Sequence, residues 1–206
     1  MGVVMTREDG TTYNLYWAES NLSFVSGLCA NPEDYGDFYA WGETIPKERY
    51  TWSNYKWCHN GDEFKITKYY PSDKTFYWGD PGDGKSVLDE SDDPAHVKLG
   101  GKWRMPTKEE WDKLLSVCLR KWTVRNGVGG YSIISPNGNE IFLPATGCMD
   151  DATQDFESTR GYYWSSNHMM DSFSTAAYIL YFTDEKYSGL STVGRQYGCS
   201  IRPVTE

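Results

Sequence analysis

The chain has no apolar run long enough to cross a bilayer as a helix, no C-x-x-C pair, and no low-complexity tract or linker rich in proline and serine. Each absence removes a class. The first excludes a transmembrane helix. The second bears on the five cysteines, Cys29, Cys58, Cys118, Cys148 and Cys199, which are odd in number and widely spaced. That pattern speaks against a zinc site or a disulfide framework and leaves room for one disulfide if the protein is exported. Most are expected as small buried hydrophobes. The missing linker, at 206 residues, points to one domain over 1–206. Met1-Gly2-Val3-Val4-Met5 is too short for a signal-peptide core, so no export signal or anchor is expected within this chain. Positive charge is scarce too: 20 Lys and Arg stand against 29 Asp and Glu, a net charge of -9. Such an excess argues against nucleic acid or an anionic membrane as the main partner.

What the chain has instead is aromatic and glycine-rich. Only 39% of it is hydrophobic, yet 16% is aromatic and 20 residues are Gly, a composition of short strands and many loops. Strands are expected at Tyr13–Ala18, Lys121–Val124, Tyr131–Ile134, Glu140–Pro144, Gly161–Ser166 and Thr175–Phe182. Pro136-Asn137-Gly138-Asn139 is a hairpin turn. A short helix is expected near 52–58. Gly100-Gly101-Lys102-Trp103-Arg104-Met105-Pro106 reads as an irregular loop, and Thr107 with Glu110 three residues on has the spacing of a capping box. Trp111, Leu114, Leu115 and Cys118 then fall on one helix face.

Two motifs invite chemistry that their context does not support. Gly79 to Ser86 matches the spacing of a phosphate-binding loop, but Asp80 and Asp83 would repel a phosphate and the following residues are acidic and broken by Pro94. A surface loop is the better reading. The acids Asp89, Glu90, Asp92 and Asp93 lack the regular ligand spacing of a calcium loop. They are expected as solvated or helix-capping residues. His59 beside Cys58 is no dyad, since neighbours in a strand face opposite sides.

The Gly100–Trp111 string, together with Pro32–Glu43, Leu88–His96, Gly138–Gly147, Gly161–Ser166, Tyr178–Phe182 and Ser200–Val204, resembles the Fibrobacter and Bacteroidetes major paralogous domain. That family has a C-type-lectin-like fold related to the formylglycine-generating enzymes and to the variable proteins of diversity-generating retroelements. The resemblance implies an α+β chain with short antiparallel strands, few short helices and extensive loops. It also implies that the Trp and Arg of the string are scaffold, and that contact residues lie near the C-terminus.

Two stretches there combine apolar, aromatic and small polar residues, a mixture suited to binding surfaces. The first contributes Asn167, His168, Met169, Met170, Asp171 and Phe173. The second contributes Tyr187, Ser188, Leu190, Ser191, Thr192, Val193, Gln196 and Tyr197. Both are expected as loops. The expected function is non-catalytic recognition of a protein or glycan on a cell or host surface, outside the cell or on a phage particle, without cofactor, metal or catalytic residue. Calcium-dependent sugar chelation is not expected, because neither Glu-Pro-Asn nor Gln-Pro-Asp occurs. The alternatives are an enzyme of the formylglycine-generating type, which needs a reactive cysteine pair near the C-terminus where only Cys199 lies, and a structural domain of a surface or fimbrial protein.

Overall fold

The computed structural model of the chain describes residues 1–7, 9–72, 82–170, 174–184 and 187–206. Strands β1 (Gly2–Thr6), β2 (Thr12–Trp17), β3 (Leu22–Ser23) and β4 (Gly27–Leu28) are followed by a long irregular stretch. Helices α1 (Pro94–Leu99) and α2 (Lys108–Val117) come next. Then follow β5 (Leu119–Arg125), β6 (Val128–Ile134), β7 (Glu140–Pro144), β8 (Cys148–Asp150), β9 (Thr153–Asp155), β10 (Arg160–His168), β11 (Ala176–Thr183), β12 (Ser188–Gly194) and β13 (Val204–Thr205). These are small antiparallel sheets with few short helices, an α+β or β-rich architecture.

α2 starts where its caps dictate. The Thr107 hydroxyl accepts from the Glu110 amide at 3.2 Å, and the Glu110 carboxylate accepts from the Thr107 amide at 2.8 Å. The same buried carboxylate takes a two-pronged contact from Arg104, at 2.8 and 2.6 Å, and the Tyr13 hydroxyl at 3.0 Å. Glu110 therefore ties the loop, the helix and β2 together. Trp111, Leu114 and Leu115 face inward as the spacing predicts, and the Trp111 ring lies 4.5 Å from that of Trp17.

The sheet β10-β11-β12 lies between two apolar cores. Leu180 and Phe182 of β11 and Tyr163 of β10 join α2, β1, β2, β6 and β7 in the first. Ala177, Ile179 and Trp164, on the opposite face, join Leu22, Tyr39, Trp41, Tyr69 and Ile201 in the second. That second core is built largely from loops, and indole donors satisfy loop or strand-end carbonyls: Trp164 gives to Tyr39 at 2.7 Å and Trp41 to Ser165 at 2.9 Å. Gly161 lies opposite Phe182, whose ring occupies the space of a Cβ at 2.1 Å.

Several expectations need correction. Tyr187–Gly194 is not a loop: Ser188–Gly194 is the strand β12, paired with β11 from Ala176↔Gly194 to Phe182↔Ser188. Asn167 and His168 likewise belong to β10. Pairing with an apolar neighbour overrides the weak strand preference of a Ser- and Gly-rich segment. The helix near 52–58 is a single turn, Trp52–Asn54. β5 and β6 join through Asn126 and Gly127, at φ 48 and 85, the pair of left-handed residues that a two-residue hairpin requires.

Two substitutions separate the roles within the α2 cap. Thr107→Ala removes one cap bond and is expected to cost about 1 kcal/mol. Glu110→Ala also strands Arg104, which is partly exposed, and is expected to cost about 2–3 kcal/mol. Urea unfolding midpoints of the two variants check the order.

Candidate ligand-binding surface

Most of the chain's chemically able side chains are already engaged. Asp93 caps α1 through the amides of Ala95 and His96, at 2.9 and 3.1 Å, and accepts from Met105 at 2.7 Å. Asp92 accepts from Lys56, Lys68 and the Tyr69 hydroxyl, and these partners hold its carboxyl below the usual range against the opposing effect of burial. The acid cluster is thus a set of caps and ion pairs, and Asp92 and Asp93 are buried rather than solvated. Of the phosphate-loop match, Gly79, Asp80 and Pro81 fall outside the described residues. Lys85 pairs with Asp89 at 2.8 Å, and no helix begins at Lys85 to gather amides toward an anion. Among the described residues no group of His, Cys, Asp and Glu is arranged to hold a metal.

The five cysteines are free thiols. Cys199 is fully buried, and burial, helped by Cys148, pushes its thiol well above the ordinary value. Burial first, then Asp155 and Asp150, push Cys148 up to about 12. Neither thiol carries thiolate at neutral pH.

The C-terminal residues divide into supports and presenters. Asn167 is buried and its side-chain oxygen accepts from the Lys108 amide at 3.0 Å, at the start of α2. His168 is buried against Trp41 and Tyr69, with Nε2 2.7 Å from the Lys85 carbonyl and Nδ1 3.1 Å from that of Met169. Gln196 is buried as well. All three lie beneath the exposed residues of the segment rather than at its surface. Leu190 leans on the first core and Val193 on the second. Met170, Tyr187 and Thr192 are exposed, and Met169, Ser188, Ser191 and Tyr197 are half-buried. Asp171 and Phe173 lie outside the described residues.

Register brings together a feature that spacing alone did not single out. Directly opposed residues share a sheet face, so Tyr162 of β10 stands beside Tyr181 of β11, and Tyr181 stands beside Gly189 of β12. The Tyr187 hydroxyl lies over Gly189, 3.5 Å from where a Cβ would stand, and the Tyr187 ring takes the place beside Tyr181. At the other end Phe156 stacks on Tyr162. The result is an aromatic row, Phe156–Tyr162–Tyr181–Tyr187, with successive ring centres 6.3, 5.1 and 5.7 Å apart. Phe156 is 44% and Tyr187 54% exposed. The Arg160 guanidinium lies 3.9 Å over the Phe156 ring, a cation–π contact. Burial pushes the Tyr162 hydroxyl up to about 12, so it keeps its proton at neutral pH.

The sequence signal for the row was the alternation in Tyr162-Tyr163-Trp164, where one tyrosine must face away from the other. Only the cross-strand register shows which one meets Tyr181. The row is an open surface rather than a cleft, suited to a macromolecule or an extended chain.

Residues 131–204, about a third of the chain, match the model of a family described as a domain of unknown function (DUF8237). The match takes in the whole aromatic row. No curated protein and no solved structure matches the chain.

The buried histidine sets a pH dependence. Burial, then the charge of Arg195, lowers the His168 pKa below its ordinary value. In the unfolded chain the ring takes up its proton near pH 6.5, before the folded ring does. Stability is present above that pH and falls as pH drops from about 6.5 toward the folded-state pKa. Thermal midpoints between pH 7.5 and 5.5 are expected to fall in the native chain and to flatten in His168→Gln.

Proposed function

We propose that the chain is a non-catalytic ligand-binding domain of C-type-lectin-like fold, acting outside the cell or on a phage particle. It recognises a protein or glycan on a cell or host surface. The observation that carries this reading is the aromatic row, exposed at its ends Phe156 and Tyr187 and half-buried at Tyr162 and Tyr181, where it rests on the second core. Tyrosine supplies large contact area and a polar tip at little entropic cost, as paratopes exploit. Tyr187, with Gly189 and Ser191 on the same face of β12, extends that surface to the sheet edge. The lectin-like fold accords with the small antiparallel sheets, the short helices and the long loop stretch between β4 and α1. Burial and raised pKa of Cys199 and Cys148 speak against thiol chemistry of the formylglycine-generating kind.

The specific version of this reading is a variable protein diversified by a retroelement. It requires an adenine-rich near-copy of the DNA encoding the final stretch, beside a reverse transcriptase gene. A gene neighbourhood without either leaves an undiversified paralogous domain.

Binding of the soluble protein to arrayed glycans and displayed surface proteins, compared with Tyr187→Ala and Tyr162→Ala, tests the site. Each variant is expected to weaken capture by on the order of tenfold or more. Tyr187→Ala, at an exposed position, should leave stability within about 0.5 kcal/mol. Partners that bind both variants at full strength would place the contact surface elsewhere.

A further inference from the structure

β12 is an edge strand that carries no charge of its own, although the Arg120 guanidinium donates to the Ser188 hydroxyl at 2.9 Å. Among the described residues it pairs only with β11. The Thr183 amide donates to the Tyr187 carbonyl at 2.9 Å, and the Arg195 amide donates to the Thr175 carbonyl at 2.9 Å. In this register the odd-numbered residues of β12 turn their backbone groups toward β11. The amides and carbonyls of Ser188, Leu190 and Thr192 therefore point outward. From Tyr187 to Gly194 there is no charged residue and no proline, in a chain that is 24% charged. Edge strands that stay single are blunted by charge, proline, a bulge or a covering element. Here the pairing with β11 runs without a register shift.

We propose that β12 is the interface for a second copy of this chain, added antiparallel to form one six-stranded sheet. The occupant follows from the sequence of the edge itself. About a two-fold axis through Leu190, Ser188 meets Thr192 of the second copy, Leu190 meets Leu190, and Gly189 meets Ser191. Small hydroxyl residues flank one central apolar pair, no charged residue of one strand opposes one of the other, and the outward amides of Ser188, Leu190 and Thr192 each find a carbonyl. The axis stands perpendicular to the sheet. Both aromatic rows then look out from the same face, which makes the assembly bivalent toward a repetitive surface. The pairing does not rest on the ligand-binding reading, and its test needs no ligand.

Sedimentation equilibrium reads the assembly. The native chain is expected at about twice its 23.6 kDa mass, dissociating on dilution. Thr192→Pro removes an outward amide and no bond to β11, and is expected to give the single-chain mass with folded circular dichroism. Thr192→Lys serves the same end if the proline disturbs the strand. Register is read by cysteine pairing. Leu190→Cys brings two copies of one residue to about 5.5 Å between Cα atoms, within disulfide reach, so it is expected to crosslink on mild oxidation. Ser188→Cys alone should not, whereas a mixture of Ser188→Cys and Thr192→Cys chains should. A single-chain mass at every concentration overturns the proposal. So does a dimer that persists in both Thr192 variants, or one in which Ser188→Cys crosslinks to itself.

Discussion

Arg195 and Arg202 are both fully buried, and each is held by carbonyl and side-chain oxygens rather than by a carboxylate. Arg202 donates to the carbonyls of Ala18, Glu19 and Phe142 and to the Asn21 side chain, at 2.7 to 3.1 Å. Arg195 donates to the carbonyls of Lys68, Tyr69 and Ser174 and to the Tyr55 hydroxyl, and lies 4.6 Å over the Trp41 ring. A chain with so much irregular backbone has carbonyls that no ladder satisfies, and each would be costly to bury alone. A guanidinium carries five donors in a fixed fork and is less strongly hydrated than an ammonium. One such group can satisfy three or four loop oxygens at once. The cost appears in Arg202, which burial lowers to about 10, still charged at neutral pH. Lysine could not reproduce the fork, so these two positions constrain how the loops close on the sheet.

That constraint explains which parts of the architecture are legible in the sequence. Helix α2 is legible to its first residue, because capping is local: Thr107 and Glu110 carry their own instruction. The hairpin leading into β7 is legible for the same reason. β12 is not, because Ser188-Gly189-Leu190-Ser191-Thr192-Val193-Gly194 becomes a strand only through seven paired positions on β11. His168 and Asn167 look like loop residues from their polarity, and their burial depends on Trp41, Tyr69 and α2, far away in the chain. The row proposed as a contact surface ends at Tyr187, which the sequence also singles out. Its other members, Phe156, Tyr162 and Tyr181, were hidden by strand register, which periodicity within one segment does not supply.

Several charges are paired within the molecule. Arg104 and Glu110, Lys68 and Asp92, and Arg49 and Asp151 pair across distant parts of the sequence. Isolated surface pairs such as Arg49–Asp151 add little stability. The buried ones add specificity by penalising any arrangement that separates them. The aromatic row and the β12 strand offer an outside partner aromatic area and neutral backbone. Both are cheap to strip of water compared with a charge. A net charge of -9 repels anionic partners at long range, while Tyr187 to Gly194 carry no charge of their own and meet only the Arg120 guanidinium, at Ser188.

The aromatic row and the bare edge are not independent, because Gly189 serves both. A Cβ there would meet the Tyr187 hydroxyl at 3.5 Å, an ordinary contact beside the last ring of the row. The same side chain would lie against Ser191 of a paired copy. Tyr187 is likewise both the end of the row and the first residue of the uncharged edge. Variation across Tyr187–Val193 therefore alters ligand contact and edge chemistry together. Variation at Phe156 or Tyr162, on the far side of the sheet, alters the row alone. A surface built this way is most freely varied at the β10 end, while the β12 end is held by two demands at once.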